Sequence, residues 1–335
     1  MTKVTIREVA AEAGVSVATV SRALRGLPSV SPATRARVEQ VAAELDYVPD
    51  PYAARLASSR AHTILVAVPV PGQWYYAQVV TGVEAVASDA GSDLQLHVVG
   101  DDAQRRRFIG DILPNSRRVD GAILVDIPIS PDEAAELTAK GVRIVAVGQH
   151  IDGVVSVGID NRRAAEEATS LLLGMGHTRI GLLGGMPTGR SDLSIPGMRE
   201  IGFRDALESA GLEVDERLIA NGNFSIDGGD DAATQLLGLR QPPTALFALS
   251  DEMAVGAMRA ARRLGIDVPG EMCIVGFDGH EFAGAIGLTS VSQPVVELGA
   301  SATQALLDAV NGKPWGGDKV LDHELVERDT TGRRP

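Results

Sequence analysis

Cysteine and long apolar runs are the scarcest features of this 335-residue sequence. The one cysteine, Cys273, excludes an intrachain disulfide, and its apolar neighbours favour a buried strand residue over a reactive thiol. No apolar run approaches the roughly 18 residues of a membrane span. The first residues lack the apolar stretch of a signal peptide. We therefore expect a cytoplasmic protein with no membrane partner.

Residues that carry out catalysis or bind metal are also sparse. The six histidines include no closely spaced pair, so no metal site is expected. The glycine-rich residues 181–185 lack the Gly-Lys-Ser/Thr ending of a phosphate loop and fit better a tight turn at a strand end. The sequence has no Gly-x-Ser-x-Gly elbow and no obvious acid–base dyad. It therefore predicts neither an enzyme nor a cofactor.

Charge is unevenly distributed along the chain. The formal net charge is −13, yet residues 1–60 hold eight Lys or Arg against six Asp or Glu. The first sixty residues therefore carry +2 and the remainder −15. A mildly basic head on an acidic body permits an approach to nucleic acid that the average charge would oppose. The length alone predicts two or three domains.

The first fifty residues contain three short helical patterns. Thr5 and Glu8 fit a reciprocal capping box, in which the Thr5 side chain accepts from the Glu8 amide and the Glu8 side chain reaches back to Thr5. Gly14 fits the left-handed turn that follows, Ser16 is placed to cap the second helix, and Ser31 before a proline opens the third. This pattern predicts a helix-turn-helix with its second helix in the major groove of DNA. A small helical subdomain with a solvated polar face is the alternative.

From residue 62 onward, apolar strand-like runs alternate with helical stretches. The runs fall at residues 64–68, 94–99, 121–125, 142–147, 180–184, 245–249 and 273–277. Helical stretches include residues 78–89, 162–173 and 251–264. Continuous apolar strands separated by helices predict an α/β fold of parallel, doubly wound sheets, and the length accommodates two such lobes. Ligands in this architecture bind beyond the carboxyl ends of the strands, here between the lobes.

These motifs resemble the LacI/GalR family of transcriptional regulators. The similar segments are residues 4–10, 13–22, 30–35 and 45–49 in the head, and residues 120–121, 158–161, 176–180, 250–254, 275–278 and 292–294 in the core. The resemblance implies a helix-turn-helix domain (1–49), a hinge helix and linker (50–61) and a periplasmic-binding-protein-like core (62–335). Within the core it implies lobe N (about 62–161 and 292–321) and lobe C (about 162–291 and 322–335).

The resemblance also assigns residues to DNA. It implies that Val17, Ala18 and Arg22 read base edges. The residues implied to hold phosphates or the helices themselves are Thr5, Ser16, Thr19, Ser21 and Tyr47. The hinge, residues 50–58, contains Ala53 and Leu56, and Leu56 would wedge into the minor groove. Asp50 stands where the family usually has asparagine, which argues against an asparagine-like DNA contact there.

A cleft for a small-molecule effector, a sugar or a related metabolite, is implied as well. The implied effector-binding residues are Trp74, Tyr75, Tyr76, Asp160, Arg199, Phe224, Ser250 and Asp278. Trp74, Tyr75 and Tyr76 fall in the predicted loop after the first strand, and core or dimer packing is the alternative role of their rings. Asp160 is as well placed to cap a helix. Gly148, Ser250 and Arg143 depart from the Asp, Asn and Pro that the family favours, so the identity of the effector does not follow.

The implied partners are palindromic operator DNA, a second copy of the chain and the effector. A two-fold pair of hinge helices reads a two-fold DNA site, which predicts a homodimeric repressor. The sequence ends shortly after residues 325–329 without a leucine heptad, which favours a dimer over a tetramer. The alternatives on the same core are a solute-binding protein of a transporter and a sugar-handling enzyme. The first predicts a signal peptide and the second predicts catalytic residues at strand ends.

Overall fold

The structure is a computed structural model that describes residues 4–24, 29–47, 61–116, 118–184, 194–314 and 316–332. The chain divides into two compact units, Met1–His62 and Thr63–Pro335. The hinge expected at residues 50–61 lies outside the described residues except for Ala61. Within the described ranges, no helix has both the length and the apolar character needed to cross a membrane.

The first unit contains the predicted helix-turn-helix. Its helices are α1 (Ile6–Glu12), α2 (Val17–Leu24) and α3 (Pro32–Glu44). Gly14 has a φ of +61° in the turn between α1 and α2, where a side chain would be strained. The Thr19 amide donates to the Ser16 hydroxyl over 3.1 Å, and Ser31 caps α3 in the same way. Val9, Val20 and Val38, one from each helix, are fully buried and join the three helices into one core.

The cap of α1 is the expected reciprocal box, and both of its bonds are present. The Glu8 carboxylate accepts from both the backbone amide and the hydroxyl of Thr5, at 2.7 and 2.9 Å. The Thr5 hydroxyl thus donates to the Glu8 carboxylate in addition to accepting from the Glu8 amide, as the box requires. These bonds lower the pKa of Glu8, because they favour its charged form.

The second unit begins with a six-stranded parallel sheet, the core of lobe N. Its strands are β1 (Thr63–Val68), β2 (Asp93–Val98), β3 (Gly121–Val125), β4 (Ile144–Val147), β5 (Val155–Ile159) and β11 (Lys319–Leu321), in the spatial order β11-β5-β4-β3-β1-β2. The accompanying helices are α4 (Trp74–Asp89), α5 (Asp102–Arg107), α6 (Pro131–Ala139) and α12 (Val295–Val310), with a π-helical turn at Phe108–Ile112. Strands β1 and β3 are almost wholly buried, because helices cover both faces of the sheet.

A second six-stranded sheet forms the core of lobe C. Its strands are β6 (Ile180–Gly184), β7 (Ile219–Asn221), β8 (Ala245–Ala248), β9 (Cys273–Asp278), β10 (Thr289–Ser292) and β12 (Glu324–Val326), in the order β12-β10-β9-β8-β6-β7. The accompanying helices are α7 (Asn161–Gly174), α8 (Ile195–Ser209), α9 (Ile226–Leu237), α10 (Asp251–Leu264) and α11 (Phe282–Ala285), with a 3₁₀ turn at Glu216–Leu218. Strand β12 runs antiparallel to β10, unlike the other pairs. It follows β11 of the lobe N sheet after two residues.

Helix α4 starts earlier than the sequence pattern predicts. The expected start was residue 78, but the helix begins at Trp74 with Gln73 as its extended N-cap. The placement of Trp74, Tyr75 and Tyr76 in a loop is therefore wrong, since they form the first helical turn. All three rings pack against the large apolar core. Tertiary packing of these half-buried rings outweighs their low helix propensity.

Candidate functional sites

The outward face of α2 is the candidate DNA surface. Val17 is 42% exposed, and Ala18 and Arg22 are also exposed. Val20 and Ala23 on the same helix are fully buried in the head. The helix therefore presents a polar and apolar outer face of short side chains together with one arginine, a combination that fits the edges of bases in a major groove.

The remaining proposed DNA residues surround this face. Thr5 and Ser16 are exposed at the N-termini of α1 and α2, where free amide groups favour phosphate. Thr19 and Ser21 are half-buried, and the Thr19 and Ser16 hydroxyls lie 2.9 Å apart. Tyr47 is half-buried and packs against the head core, which gives it a structural role. Ala53 and Leu56 lie outside the described residues.

Arg199 organises the candidate effector site in lobe C. It lies on α8 and is only 4% exposed. Its Nε donates to Asn161 Oδ1 over 2.9 Å, and its Nη1 donates to the carbonyl oxygen of Leu249 over 2.7 Å. The guanidinium also lies 3.6 Å from the ring centroid of Phe277, a cation–π contact. These contacts fix the arginine before any ligand arrives.

Asp278 is held at the end of β9 by two side chains. Its Oδ1 accepts from Gln293 Nε2 over 2.8 Å and from Arg199 Nη1 over 3.4 Å. Burial raises the pKa of Asp278 to about 6, although Arg199 and Gln293 both oppose the shift. A carboxylate fixed between an arginine and an amide is suited to accept hydrogen bonds from ligand hydroxyl groups.

A second buried carboxyl group, Asp251, supports this end of the sheet. The Ser290 hydroxyl donates to it over 2.6 Å, and the backbone amide of His280 donates over 2.7 Å. Burial raises its pKa to about 7, and the nearby charge of Asp278 adds to the rise. Asp251 therefore ties β10 and the loop after β9 to the start of α10.

Two of the expected effector residues are helix caps. The Ser250 hydroxyl accepts from the Met253 amide at the start of α10, over 3.3 Å. Asp160 accepts from the Arg163 amide at the start of α7, over 3.0 Å. Capping was the alternative role for Asp160, and the structure contains that cap. Neither bond uses every acceptor of its side chain, so a ligand contact from the same group stays a prediction.

Trp74 joins the two lobes. Its ring stacks on His280 of lobe C, with centroids 4.5 Å apart, and His280 stacks in turn on Phe282 at 3.6 Å. The indole nitrogen donates to Glu281 over 3.4 Å, and the Trp74 backbone amide donates to the carboxylate of Glu252. We call this set the interlobe clasp. The stack covers one face of the tryptophan, which a sugar there would otherwise use.

The other proposed aromatic residues lie beside the clasp. Gln73 donates to the carbonyl oxygen of Phe224 over 3.1 Å, which links α4 to the loop before α9. Phe224 has a left-handed φ of +48°, a strained value for a phenylalanine. Tyr75 and Tyr76 meet edge to face at 5.3 Å. Burial of the Tyr75 hydroxyl raises its pKa well above 10, and the charges of Asp126 and Asp278 add to the rise, whereas that of Arg199 opposes it.

Several residues of the cleft escaped the sequence analysis as candidates. Asn161 and Gln293 belong to segments that carried the family resemblance, yet only their contacts with Arg199 and Asp278 reveal a role. Asp251 likewise looks like an ordinary first-turn residue of a helix. Across the described ranges, no cluster of three or more His, Cys, Asp or Glu side chains could hold a metal ion.

Each of the two units matches a known protein family. Residues 5–50 match the family of bacterial regulatory proteins of the lacI type, and residues 169–331 match the periplasmic binding protein-like domain. The transcriptional repressor CytR of Escherichia coli K12 is 36% identical over 343 residues, covering 100% of this chain and 98% of CytR.

Two solved structures are similar to this chain over nearly its full length. The transcriptional regulator CelR in complex with cellobiose is 32% identical with a TM-score of 0.70, covering 98% of this chain and 100% of that one. The lac repressor dimer bound to operator and the anti-inducer ONPF is 28% identical with a TM-score of 0.84, covering 98% and 99%.

A helix-turn-helix unit followed by a two-lobed periplasmic-binding-protein-like domain defines a DNA-binding transcriptional regulator rather than an enzyme. The chain belongs to the LacI family of bacterial transcriptional regulators.

Proposed function

We propose that the protein represses transcription in the cytoplasm by binding a palindromic operator as a homodimer. In this proposal, a sugar-like effector bound between the lobes changes the affinity for the operator. The observation that carries the proposal is the outer face of α2, where Val17, Ala18 and Arg22 are exposed together above a packed core. The operator complex of the lac repressor and the cellobiose complex of CelR support the two halves of the proposal.

The outer face of α2 determines how the head would dock on the operator. Helix α2 enters the major groove with Val17, Ala18 and Arg22 at base edges. Thr5, Ser16, Thr19 and Ser21 contact phosphates or brace the helices. Ala53 and Leu56 lie in the hinge that enters the minor groove.

Replacing Arg22 with alanine tests the docking. The loss of a base contact costs about 1–3 kcal/mol, so operator affinity should fall about 5- to 150-fold, and discrimination at one symmetric base position should relax. The operator is selected from a random duplex library, and affinity is measured by fluorescence anisotropy at fixed salt. Arg37→Ala, exposed on α3, is the control. Wild-type affinity and base preference in Arg22→Ala would contradict the docking.

The proposed dimer surface is the outer edge of the lobe N sheet. Strand β2 is the terminal strand, and Leu96 and Val98, two residues apart on one face, are 48% and 45% exposed. Exposed apolar side chains on an edge strand favour pairing with another copy.

An aspartate at this edge tests the dimer. Leu96→Asp removes about 1.5–3 kcal/mol of apolar burial per copy, so the dimer dissociation constant should rise by about a hundredfold or more. Light scattering and sedimentation at micromolar concentration measure it. Val320→Asp is the matched control, because Val320 is 69% exposed on β11 at the opposite edge of the same sheet. Leu96→Asp that stays dimeric would place the interface elsewhere.

The proposed regulation by an effector requires that ligand binding in the cleft and operator binding by the head affect each other. If a ligand alters the affinity for the operator, the operator alters the affinity for the ligand by the same factor. Operator titrations at several concentrations of each candidate sugar give both the factor and its sign. A factor of one for every ligand that binds the cleft would separate ligand binding from regulation.

A further inference from the structure

The chain crosses between the lobes three times, always at the same edge of their sheets. Strand β5 of lobe N leads into α7 of lobe C through Asp160 alone, whereas β10 leads into α12 and β11 into β12 through two residues each. Strands β11 and β5 are the last two at one edge of the lobe N sheet, and β12 and β10 are the last two of the lobe C sheet. We call these connections the interlobe crossings. Short connections at one edge allow two lobes to open at the other.

The interlobe clasp lies away from the interlobe crossings. Gln73 and Trp74 begin α4, which follows β1, and β1 lies three strands from β5 in the lobe N sheet. At the usual spacing of strands this is about 14 Å. A contact at that distance from the crossings restrains the angle between the lobes strongly, because even a small rotation separates its atoms.

Two neighbouring residues of lobe N reach three separate segments of lobe C. Trp74 stacks on His280 in the loop after β9, and its backbone amide donates to Glu252 on α10, the helix after β8. Gln73 donates over 3.1 Å to the carbonyl oxygen of Phe224, in the loop after β7. The start of α4 therefore contacts lobe C beyond the ends of three of its strands.

These contacts are of a kind that forms and breaks readily. Stacked rings and a single neutral hydrogen bond each contribute modestly, and none of them is a buried ion pair. Phe224 keeps its strained φ of +48° while its carbonyl oxygen accepts from Gln73, and this strain favours release of the bond. His280 is half-buried, so opening the lobes exposes little that is not already close to water.

We propose that the interlobe clasp, together with the bond from Gln73 to Phe224, latches the two lobes in a closed arrangement without help from a ligand. Closure then depends on side chains of the chain itself, and the strength of these contacts sets the fraction of molecules whose lobes are open. The inference goes beyond the proposed function, because its test needs neither an effector nor an operator.

Electron paramagnetic resonance with two spin labels measures the distance between the lobes in the full-length protein. The labels are attached at Asp132→Cys on α6 of lobe N and at Asp231→Cys on α9 of lobe C, where both aspartates are exposed. The one native cysteine, Cys273, is buried and should not react. Each labelled sample is mixed with an excess of unlabelled wild-type protein, so that only distances within one copy are recorded.

Three variants weaken the latch from both lobes. His280→Ala removes the stack from the lobe C side, Gln73→Ala removes the bond to Phe224, and the third variant combines the two. Each single change should raise the ratio of open to closed molecules about two- to tenfold, and the double variant should raise it by up to about a hundredfold. His97→Ala is the matched control, because His97 stacks on Phe108 at 4.7 Å wholly within lobe N.

The labelled protein with an intact latch should show one short distance between the lobes. A second, longer distance should appear in the double variant and should be absent from His97→Ala. Identical distances in the double variant and in the protein with an intact latch would overturn the proposal, and so would a long distance that already dominates the latter. A longer distance in His97→Ala as well would also overturn it, because opening would then follow from the loss of any stacked ring.

Discussion

Arg199→Ala should destabilise the second unit by about 3–5 kcal/mol and abolish its response to effector. The substitution leaves Asp278, which is 9% exposed, without its buried cationic partner. It also removes the donors to Asn161 and Leu249 and the guanidinium on Phe277. Urea unfolding measures the stability, and operator titration with and without ligand measures the response.

A second arginine on the same helix shows how much of the stability loss comes from burial of Arg199 rather than from the removal of a charge. Arg204 pairs on the surface with Glu200 and Glu216, and its replacement by alanine should cost about 0–1 kcal/mol. Below the unfolding temperature, Arg199→Ala should still bind the operator without ligand, because Arg199 belongs to the second unit and not to the head. Asp278→Asn, which keeps the shape, should also lose the response. A full ligand-dependent shift in both variants would show that the cleft is assigned to the wrong residues.

The stability of the second unit should fall as pH rises from 5 to 7, and Asp251→Asn should remove much of that fall. Burial raises the pKa of Asp251 to about 7, whereas an aspartate in the unfolded chain ionises near 4. A raised pKa in the folded state contributes stability that is fully present below about pH 4 and is lost as pH rises through 7. The loss is roughly 1.4 kcal/mol per pH unit, about 2–3 kcal/mol between pH 5 and 7.

The difference between variant and wild type reports Asp251 together with its coupling to Asp278, whose pKa is raised to about 6 and whose charge raises that of Asp251. Burial lowers the pKa of His97 and His280, but both histidines titrate in either protein and cancel. Urea unfolding at pH 5, 6, 7 and 8 gives the two curves, and Asp231→Asn should run parallel to wild type. Parallel curves for Asp251→Asn and wild type would mean that Asp251 is already ionised at pH 5 in the folded protein.

Local signals in the sequence predicted the head accurately. The caps at Ser16 and Ser31 and the turn at Gly14 depend on residues three or four positions apart, and the structure contains all three. Such local signals could not predict the start of α4. The N-cap residue before Trp74, Gln73, makes no side-chain cap bond, and the Trp74 ring is packed by groups more than 200 residues away.

The residues of the candidate effector cleft were predicted only in part. The family resemblance nominated Arg199 and Asp278, and the structure brings them within 3.4 Å of each other. It missed Asn161 and Gln293, which hold that pair, and it did not foresee that the ring of Trp74 stacks on His280. A ligand contact of Trp74 stays a prediction.

The sequence by itself determined the helix-turn-helix, the two α/β lobes and the family, because capping, periodicity and motif order are written in neighbouring residues. Tertiary structure alone decided which side chains meet in the cleft. Arg199 and Asp278 are 79 residues apart, and Trp74 and Glu281 are 207 apart. Strand order and the approach of the lobes bring such pairs together, and both follow from the burial of apolar surface summed over the whole unit.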